Sequence, residues 1–130
     1  MKHLKSITVL ATAIVVAGCE GITFGRDCTA ILVPAINVTV IDSITGESRE
    51  RGSTVLARDG SFVDSRVVPD DSTLAPFSIQ LAHERAGTYV VTVSHAGYRE
   101  WTASNVRVRD EGCHVATANL VARLVRAPAI

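Results

Sequence analysis

The feature that most constrains the fold is a two-residue alternation of apolar and polar side chains along most of the chain. It is clearest where Ile36, Val38 and Val40 alternate with Asn37 and Thr39. Successive side chains of a β-strand point to opposite faces, so this period predicts a strand with one buried face. A helix would need a period near 3.6 residues. The chain is therefore expected to fold as β-structure.

The same alternation recurs in several short segments separated by turn residues. The further predicted strands cover residues 54–58, 61–67, 77–81, 89–94, 106–109 and 114–124. Asp59-Gly60 is a strong hairpin signal between two of them. The alanine and leucine content of residues 114–124 also permits a helix, but the surrounding β-pattern favours a strand. Six or seven short strands predict an all-β fold, a small β-sandwich of about seven strands.

The first eighteen residues have the pattern of an export signal. Lys2 and Lys5 give a basic start, and residues 7–17 form an apolar run interrupted only by Thr8 and Thr12. A helix over this run would rise about 16 Å, roughly half the hydrocarbon core of a bilayer. The run is thus too short for a permanent transmembrane helix, and a cleaved signal peptide is expected over residues 1–18.

The end of that segment adds a more specific signal. Val16, Ala17, Gly18 and Cys19 resemble the lipobox of bacterial lipoproteins, which implies that Cys19 becomes the first residue and carries the lipid. Two or more acyl chains anchor a protein stably where one does not. Glu20 differs from the aspartate of inner-membrane retention signals, which favours the outer membrane. The alternative is an ordinary signal peptide with a chance cysteine at this position.

Two further cysteines remain in the exported chain. Cys28 and Cys113 are expected to form one disulfide, because two cysteines in a protein exported to an oxidising compartment are typical of a disulfide bond. Such a bond would join the start of the domain to its last strand. The alternative is a pair of free thiols.

The charge balance argues against two classes of partner. The chain carries 13 basic and 13 acidic residues, so neither nucleic acid nor anionic lipid is expected as its main ligand. Lys2 and Lys5 are the only lysines, which leaves arginine as the only fixed cation once the leader is removed. The hydrophobic fraction of 47% argues against disorder.

One group of motifs resembles a known family. Residues 86–93 (AGTYVVTV), followed by Gly97-Tyr98, resemble the core of carboxypeptidase regulatory-like domains, which share a transthyretin-like sandwich. Residues 36–42 with Thr45-Gly46 match that family's first strand and turn. The resemblance covers residues 34–124 and implies a fold more than a function. It places Tyr89 in the core, and Gly87 and Gly97 where the backbone needs a tight turn or a close approach.

The residues that could support chemistry are scattered. His83, His95 and His114 show no local pairing typical of zinc ligands, so no metal site and no cofactor are expected. No serine lies in a nucleophile-elbow motif. The C-terminal tetrapeptide typical of transthyretin-related hydrolases is missing. The chain is therefore expected not to be an enzyme.

The candidate partner-binding residues are Tyr98, Arg99, Trp101, Arg107 and Arg109. Tryptophan and arginine are enriched in binding hot spots, and on a continuous strand Tyr98 and Trp101 would face opposite sides. The alternative is that a bend turns Trp101 into the core. Arg107 and Arg109 share a predicted strand face. The alternative to a partner-binding surface there is a solvated face or a sheet edge protected by charge.

These observations divide the chain into four parts. They are a lipoprotein signal peptide (1–18), a lipidated tether (19–27), a β-sandwich (28–126) and a C-terminal tail (127–130). We expect a lipid-anchored protein of the cell envelope that binds an unidentified envelope protein or glycan through loops and edge strands. The alternative functions are a small envelope hydrolase and a transthyretin-like binder of small molecules.

Overall fold

A computed structural model describes residues 27–73 and 78–130. Seven β-strands lie within these residues, as the sequence pattern predicted. They are β1 (Ile36–Asp42), β2 (Ser53–Asp59), β3 (Phe62–Val67), β4 (Ile79–Leu81), β5 (Gly87–His95), β6 (Trp101–Val108) and β7 (Ala118–Leu124). The predicted signal peptide, Cys19, most of the tether and Phe77 lie outside the described residues.

The strands form two sheets. One has the order β4-β1-β7 and the other β3-β2-β5-β6. All neighbours are antiparallel except β1 and β7, which run parallel over a seven-residue register from Ile36↔Ala118 to Asp42↔Leu124. This arrangement confirms the predicted all-β fold, a small β-sandwich with about seven strands and one disulfide.

The two-residue period explains which side chains form the core. Ile36, Val38 and Val40 are fully buried between the sheets, while Asn37 and Thr39 point away and are only half-buried. Tyr89 is also fully buried, as expected, and its ring packs edge-on against Phe62. Most of the core is valine, isoleucine and leucine. Strand alternation therefore supplies the apolar surface that holds the two sheets together.

Three strand boundaries differ from the sequence prediction. The last strand begins at Ala118, so His114 lies in the preceding loop and not in a strand. The sixth strand already begins at Trp101 and ends at Val108, which places Arg109 beyond it. The short β4 pairs only with residues 36–38 of β1. In each case the bounds depend on which backbone groups are hydrogen-bonded to a neighbouring strand. The alternation of apolar and polar residues does not reveal those partners.

Two glycines explain local backbone geometry. Gly97 has φ of 80° in the turn between β5 and β6, a conformation that a side chain disfavours. Gly87 begins β5, and a Cβ there would overlap a carboxylate oxygen of Asp59. The sequence analysis expected a tight turn or a close approach at these two glycines, and the structure has a turn at Gly97 and a close approach at Gly87.

The strand directions give the sandwich two distinct ends. The Cys113 end comprises residues 28–35, 60–61, 82–86 and 109–117, and the Asp42 end comprises residues 43–52, 68–73, 96–100 and 125–130. Because a seven-residue strand spans roughly 20–23 Å, side chains at the two ends do not touch. At the Cys113 end Thr29, His114 and Glu84 are hydrogen-bonded to one another, and at the Asp42 end a cluster forms around Asp42.

Candidate functional site

The Cys113 end is closed by the disulfide that the sequence predicted. Cys28 and Cys113 are bonded across a sequence separation of 85 residues. Cys113 lies in the loop between β6 and β7, so the bond joins the segment before β1 to this loop and not to the last strand itself. The disulfide therefore fixes the start of the described chain to one end of the sandwich.

A chain of three polar side chains lies directly beside the disulfide. Nδ1 of His114 is 2.7 Å from Oε1 of Glu84, and Nε2 of His114 is 2.8 Å from the hydroxyl oxygen of Thr29. An ionised carboxylate only accepts hydrogen bonds, so Nδ1 carries the proton that is donated to Glu84. In the neutral ring, Nε2 is then free to accept the hydroxyl proton of Thr29.

Glu84 is held ionised by its surroundings. The backbone N–H of Val33 donates a 2.8 Å hydrogen bond to Oε1 of Glu84. This bond, together with that from His114, lowers the pKa of the Glu84 carboxyl below its ordinary value, against a smaller opposing effect of burial. The same carboxylate therefore ties two segments to the β4–β5 connection, the one before β1 and the β6–β7 loop.

An open pocket lies over this cluster. Its volume is about 360 Å³, within the range of small-molecule sites. It is lined by residues 29–32, by Glu84 and Asp110, and by residues 112–115. Ile31 and Leu32 are largely exposed there. The pocket thus combines two carboxylates, one imidazole and one hydroxyl with a short apolar wall.

The Asp42 end is organised around a buried carboxylate. Asp42 has no exposed surface, and its Oδ1 accepts the backbone N–H groups of Thr45 and Ile44 at 3.0 and 2.9 Å. Its Oδ2 accepts the hydroxyl of Tyr98 at 2.7 Å and Nε of Arg126 at 3.1 Å. These hydrogen bonds, of which that from the Thr45 N–H has the largest effect, hold the pKa of Asp42 well below its ordinary value. Burial acts in the opposite direction.

Arg49 extends this network to the loop between β1 and β2. Its Nε donates a 2.8 Å hydrogen bond to the hydroxyl of Tyr98, and its guanidinium pairs with Glu47 at 2.7 Å. The hydrogen bonds to Tyr98 and Glu47 raise the pKa of Arg49 further above its ordinary value. Tyr98 therefore donates to Asp42 and accepts from Arg49, which satisfies its hydroxyl in both directions.

The five candidate partner-binding residues have different settings. Tyr98 and Trp101 are both half-buried and pack against the core, and Trp101 pairs with Val93 on the inner face. Arg99, Arg107 and Arg109 are exposed. Both aromatic rings are therefore partly covered by the core, and neither is fully exposed.

The exposed arginines do not form one surface. Arg99 lies at the Asp42 end, where β6 begins, and Arg109 follows the strand's other end. The length of β6 separates these two positions by roughly 20–25 Å. The structure therefore separates Arg99 from Arg109, whereas Arg107 lies only two residues before Arg109 in the chain.

Of the histidines among the described residues, His95 lies at one end of the sandwich, and His83 and His114 lie at the other. His95 lies at the Asp42 end, where its ring nitrogens face the carbonyl oxygens of Ala96 and Arg51. His114 lies at the Cys113 end beside Glu84. No group of three metal-ligating side chains occurs within residues 27–73 and 78–130.

The sequence did not reveal either polar cluster. Thr29, Glu84 and His114 lie on three separate connections, and no short motif links them. One signal was present: Cys28 precedes Thr29, and Cys113 precedes His114. A disulfide between the cysteines places the two following residues near each other.

Comparisons with known proteins identify no relative. No protein-family model matches the chain, and no curated protein matches its sequence. Among the residues that the structure describes, no helix has the length and apolar character needed to cross a bilayer.

Proposed function

We propose that this chain is a lipid-anchored protein of the cell envelope whose main role is to bind a partner. Its sandwich, which resembles the carboxypeptidase regulatory-like domains, presents loops and edge strands to an envelope protein or glycan. The lipid is carried by Cys19, and the outer membrane is the favoured location. The observation that carries the proposal is the attachment of the N-terminal segment to one end of the sandwich.

That attachment decides which surfaces a partner could reach. Cys28 is bonded to Cys113, and the Val33 N–H is bonded to Glu84, so the tether must leave the domain at the Cys113 end. Residues 20–27 could span at most about 28 Å when fully extended. With the lipid on Cys19, the Cys113 end would lie near the membrane and the Asp42 end would point away from it.

The Asp42 end has the properties expected of a binding surface. Its β1–β2 loop is fixed by Asp42 and by buried Glu50, which accepts the Val40 N–H. Ile44 projects from this loop with 84% of its surface exposed. Arg99 is exposed on the adjacent turn. A loop that is already ordered loses less conformational freedom on binding, so exposed side chains on it are suited to recognition.

Position-specific crosslinking on intact cells tests this orientation. A photoreactive residue is placed at Ile44 on the Asp42 end and, as the matched control, at exposed Ser61 on the Cys113 end. We expect discrete crosslinked species from position 44 and none from position 61. Equal products from both positions, or products from position 61 only, would contradict the proposed orientation.

The anchor is tested separately. Cys19→Ser should move the exported protein from the membrane fraction to the soluble fraction, because lipid would be its only attachment. A Cys19→Ser chain that stays membrane-bound after export would contradict lipid anchoring. The crosslinking experiment would still test which end of the sandwich contacts a partner.

One observation favours a second candidate function, the small envelope hydrolase. Thr29, His114 and Glu84 are hydrogen-bonded in the order hydroxyl, imidazole, carboxylate. This is the order in which a nucleophile, its base and the group that orients the base occur in acyl-transfer enzymes.

A further inference from the structure

The geometry at Thr29 is suited to activation of its hydroxyl. Oγ1 of Thr29 is 2.8 Å from Nε2 of His114, within the distance for proton transfer. Nδ1 of His114 is 2.7 Å from Glu84, which fixes the ring's tautomer and stabilises the imidazolium that forms when Nε2 takes a proton. Thr29 itself is exposed, so a substrate can reach the oxygen.

A covalent link and a strained residue both occur at this arrangement. The Cys28–Cys113 bond joins the residues immediately before Thr29 and His114, so a covalent link fixes the hydroxyl near the imidazole. Glu84 has φ of 54°, which is unfavourable for a side chain of this kind. Strained residues are concentrated at functional sites, where the surrounding contacts must hold them.

The pocket beside Thr29 restricts the substrate. Glu84 and Asp110 both line it, whereas no lysine or arginine does in the part of the chain that the structure describes. Two carboxylates repel an anionic substrate and attract a cationic one. Ile31 and Leu32 offer a small apolar wall for an acyl group. The chemistry therefore favours small neutral or cationic esters.

We propose that Thr29, His114 and Glu84 form a catalytic site that hydrolyses small neutral or cationic esters. The proposal rests on the second candidate function and specifies its substrate class. Thr29 and His114 are the catalytic residues. Glu84 is the positioning residue, because it acts through His114.

The reaction proceeds in two steps that balance. Nε2 of His114 takes the hydroxyl proton as Oγ1 of Thr29 bonds to the ester carbonyl carbon, and the ester C–O bond breaks as the alcohol leaves with that proton. Water then adds to the acyl-threonine and gives one proton to His114. The acyl–Oγ1 bond breaks, the carboxylic acid leaves, and His114 returns the proton to Thr29.

The expected rate enhancement is modest. General-base catalysis contributes about 10²–10⁴-fold, whereas lack of a donor for the developing oxyanion costs about 10²–10³-fold. The open pocket leaves that oxyanion largely to water. We therefore expect Thr29→Ala to lower the ester hydrolysis rate by about tenfold, not by many orders of magnitude.

The test uses the full-length chain, purified in detergent, with p-nitrophenyl acetate as the probe. Thr29→Ala, Thr29→Ser and His114→Gln are compared with Thr102→Ala, which removes an exposed hydroxyl at the opposite end of the sandwich. We expect Thr29→Ala and His114→Gln to lower the hydrolysis rate by about tenfold, and Thr29→Ser and Thr102→Ala to leave it unchanged. Diisopropyl fluorophosphate should label Thr29, with loss of fluoride, as shown by mass spectrometry of the peptide.

A purely structural role for these residues gives a different result. If Thr29, His114 and Glu84 only hold the N-terminal segment in place, Thr29→Ala lowers the stability to urea. Its hydrolysis rate then equals that of Thr102→Ala, and Thr29 is not labelled. Either equal rates or an unlabelled Thr29 overturns the esterase proposal. The uncatalysed rate of each ester is subtracted, because the carboxylate of p-nitrophenyl hemisuccinate attacks its own ester. A protein-dependent rate that is higher for the anionic hemisuccinate than for the acetate would overturn the substrate class. None of these outcomes alters the crosslinking test, so the binding role stands or fails independently.

Discussion

The hydroxyl of Tyr98 donates a 2.7 Å hydrogen bond to Oδ2 of Asp42, a carboxylate with no exposed surface, across 56 residues of sequence. Asp42 ends β1 in one sheet, and Tyr98 follows β5 in the other. The bond therefore links the two layers of the sandwich at the Asp42 end. It also explains why Tyr98 is half-buried instead of being displayed for a partner.

Tyr98→Phe should destabilise the fold, because it removes one donor from a buried carboxylate. The expected loss in the free energy of unfolding is about 1–3 kcal/mol, measured by urea denaturation at neutral pH. The same substitution in an Asp42→Asn background is the control, and there its effect should shrink. Equal effects in both backgrounds would show that the hydroxyl stabilises the fold through its other partner, Arg49, and not through Asp42.

Acid should destabilise the protein through Asp42 and Glu84. Both carboxyls have pKa values below their ordinary values of 3.8 and 4.5 because they accept hydrogen bonds in the folded state. A lowered folded-state pKa adds stability above the unfolded pKa, and this stability is lost as the pH falls. Urea midpoints should therefore fall from about pH 5 downward, and less steeply in Asp42→Asn.

The control for this pH effect is an exposed carboxylate at the same end. Glu100→Gln should leave the slope unchanged, since Glu100 lies on the surface. If Asp42→Asn and Glu100→Gln gave the same pH dependence as the unmodified chain, Asp42 would not be responsible for acid sensitivity.

The disulfide should contribute a large part of the stability. Replacing Cys28 and Cys113 together with serine is expected to cost about 2–5 kcal/mol in urea denaturation, because the bond restricts the unfolded chain. A reducing agent should lower the stability of the unmodified protein and leave the double variant unaffected. An unmodified protein that is equally stable with and without reductant would contradict this prediction.

Asn105 has φ of 56° at the irregularity where β5 and β6 shift register. Asparagine tolerates this left-handed conformation, and glycine tolerates it better, whereas a β-branched residue does not. Asn105→Gly should therefore keep or raise the thermal stability. Asn105→Val should cost about 1–2 kcal/mol. A valine variant as stable as the glycine variant would show that backbone conformation does not limit this position.

Much of the fold could be predicted because it depends on local pattern. The alternation around Val38 fixed both the strand and the face that is buried, and Asp59-Gly60 marked a hairpin that the structure contains. The start of β7 could not be predicted in this way. Val115 continues the apolar alternation and is buried, but its backbone forms an isolated bridge with Asp110 and belongs to none of the seven strands.

The candidate sites depend on long-range contacts and so were largely hidden. Thr29 and His114 lie 85 residues apart, and Glu84 lies 30 residues before His114. Tyr98 could be selected from its residue type, but its partner Asp42 looked only like a turn residue. A single sequence does not show which distant residues come into contact, because their proximity arises from the packing of separate connections.

The sequence by itself determined the β-character of the chain, the face that each main strand buries and the pairing of Cys28 with Cys113. Each follows from local period or from cysteine chemistry. Only the tertiary structure decided that β1 and β7 run parallel, that Tyr98 is tied to Asp42, and that Thr29 meets His114. These relationships arise when two sheets pack together, because packing brings into contact connections that are far apart along the chain.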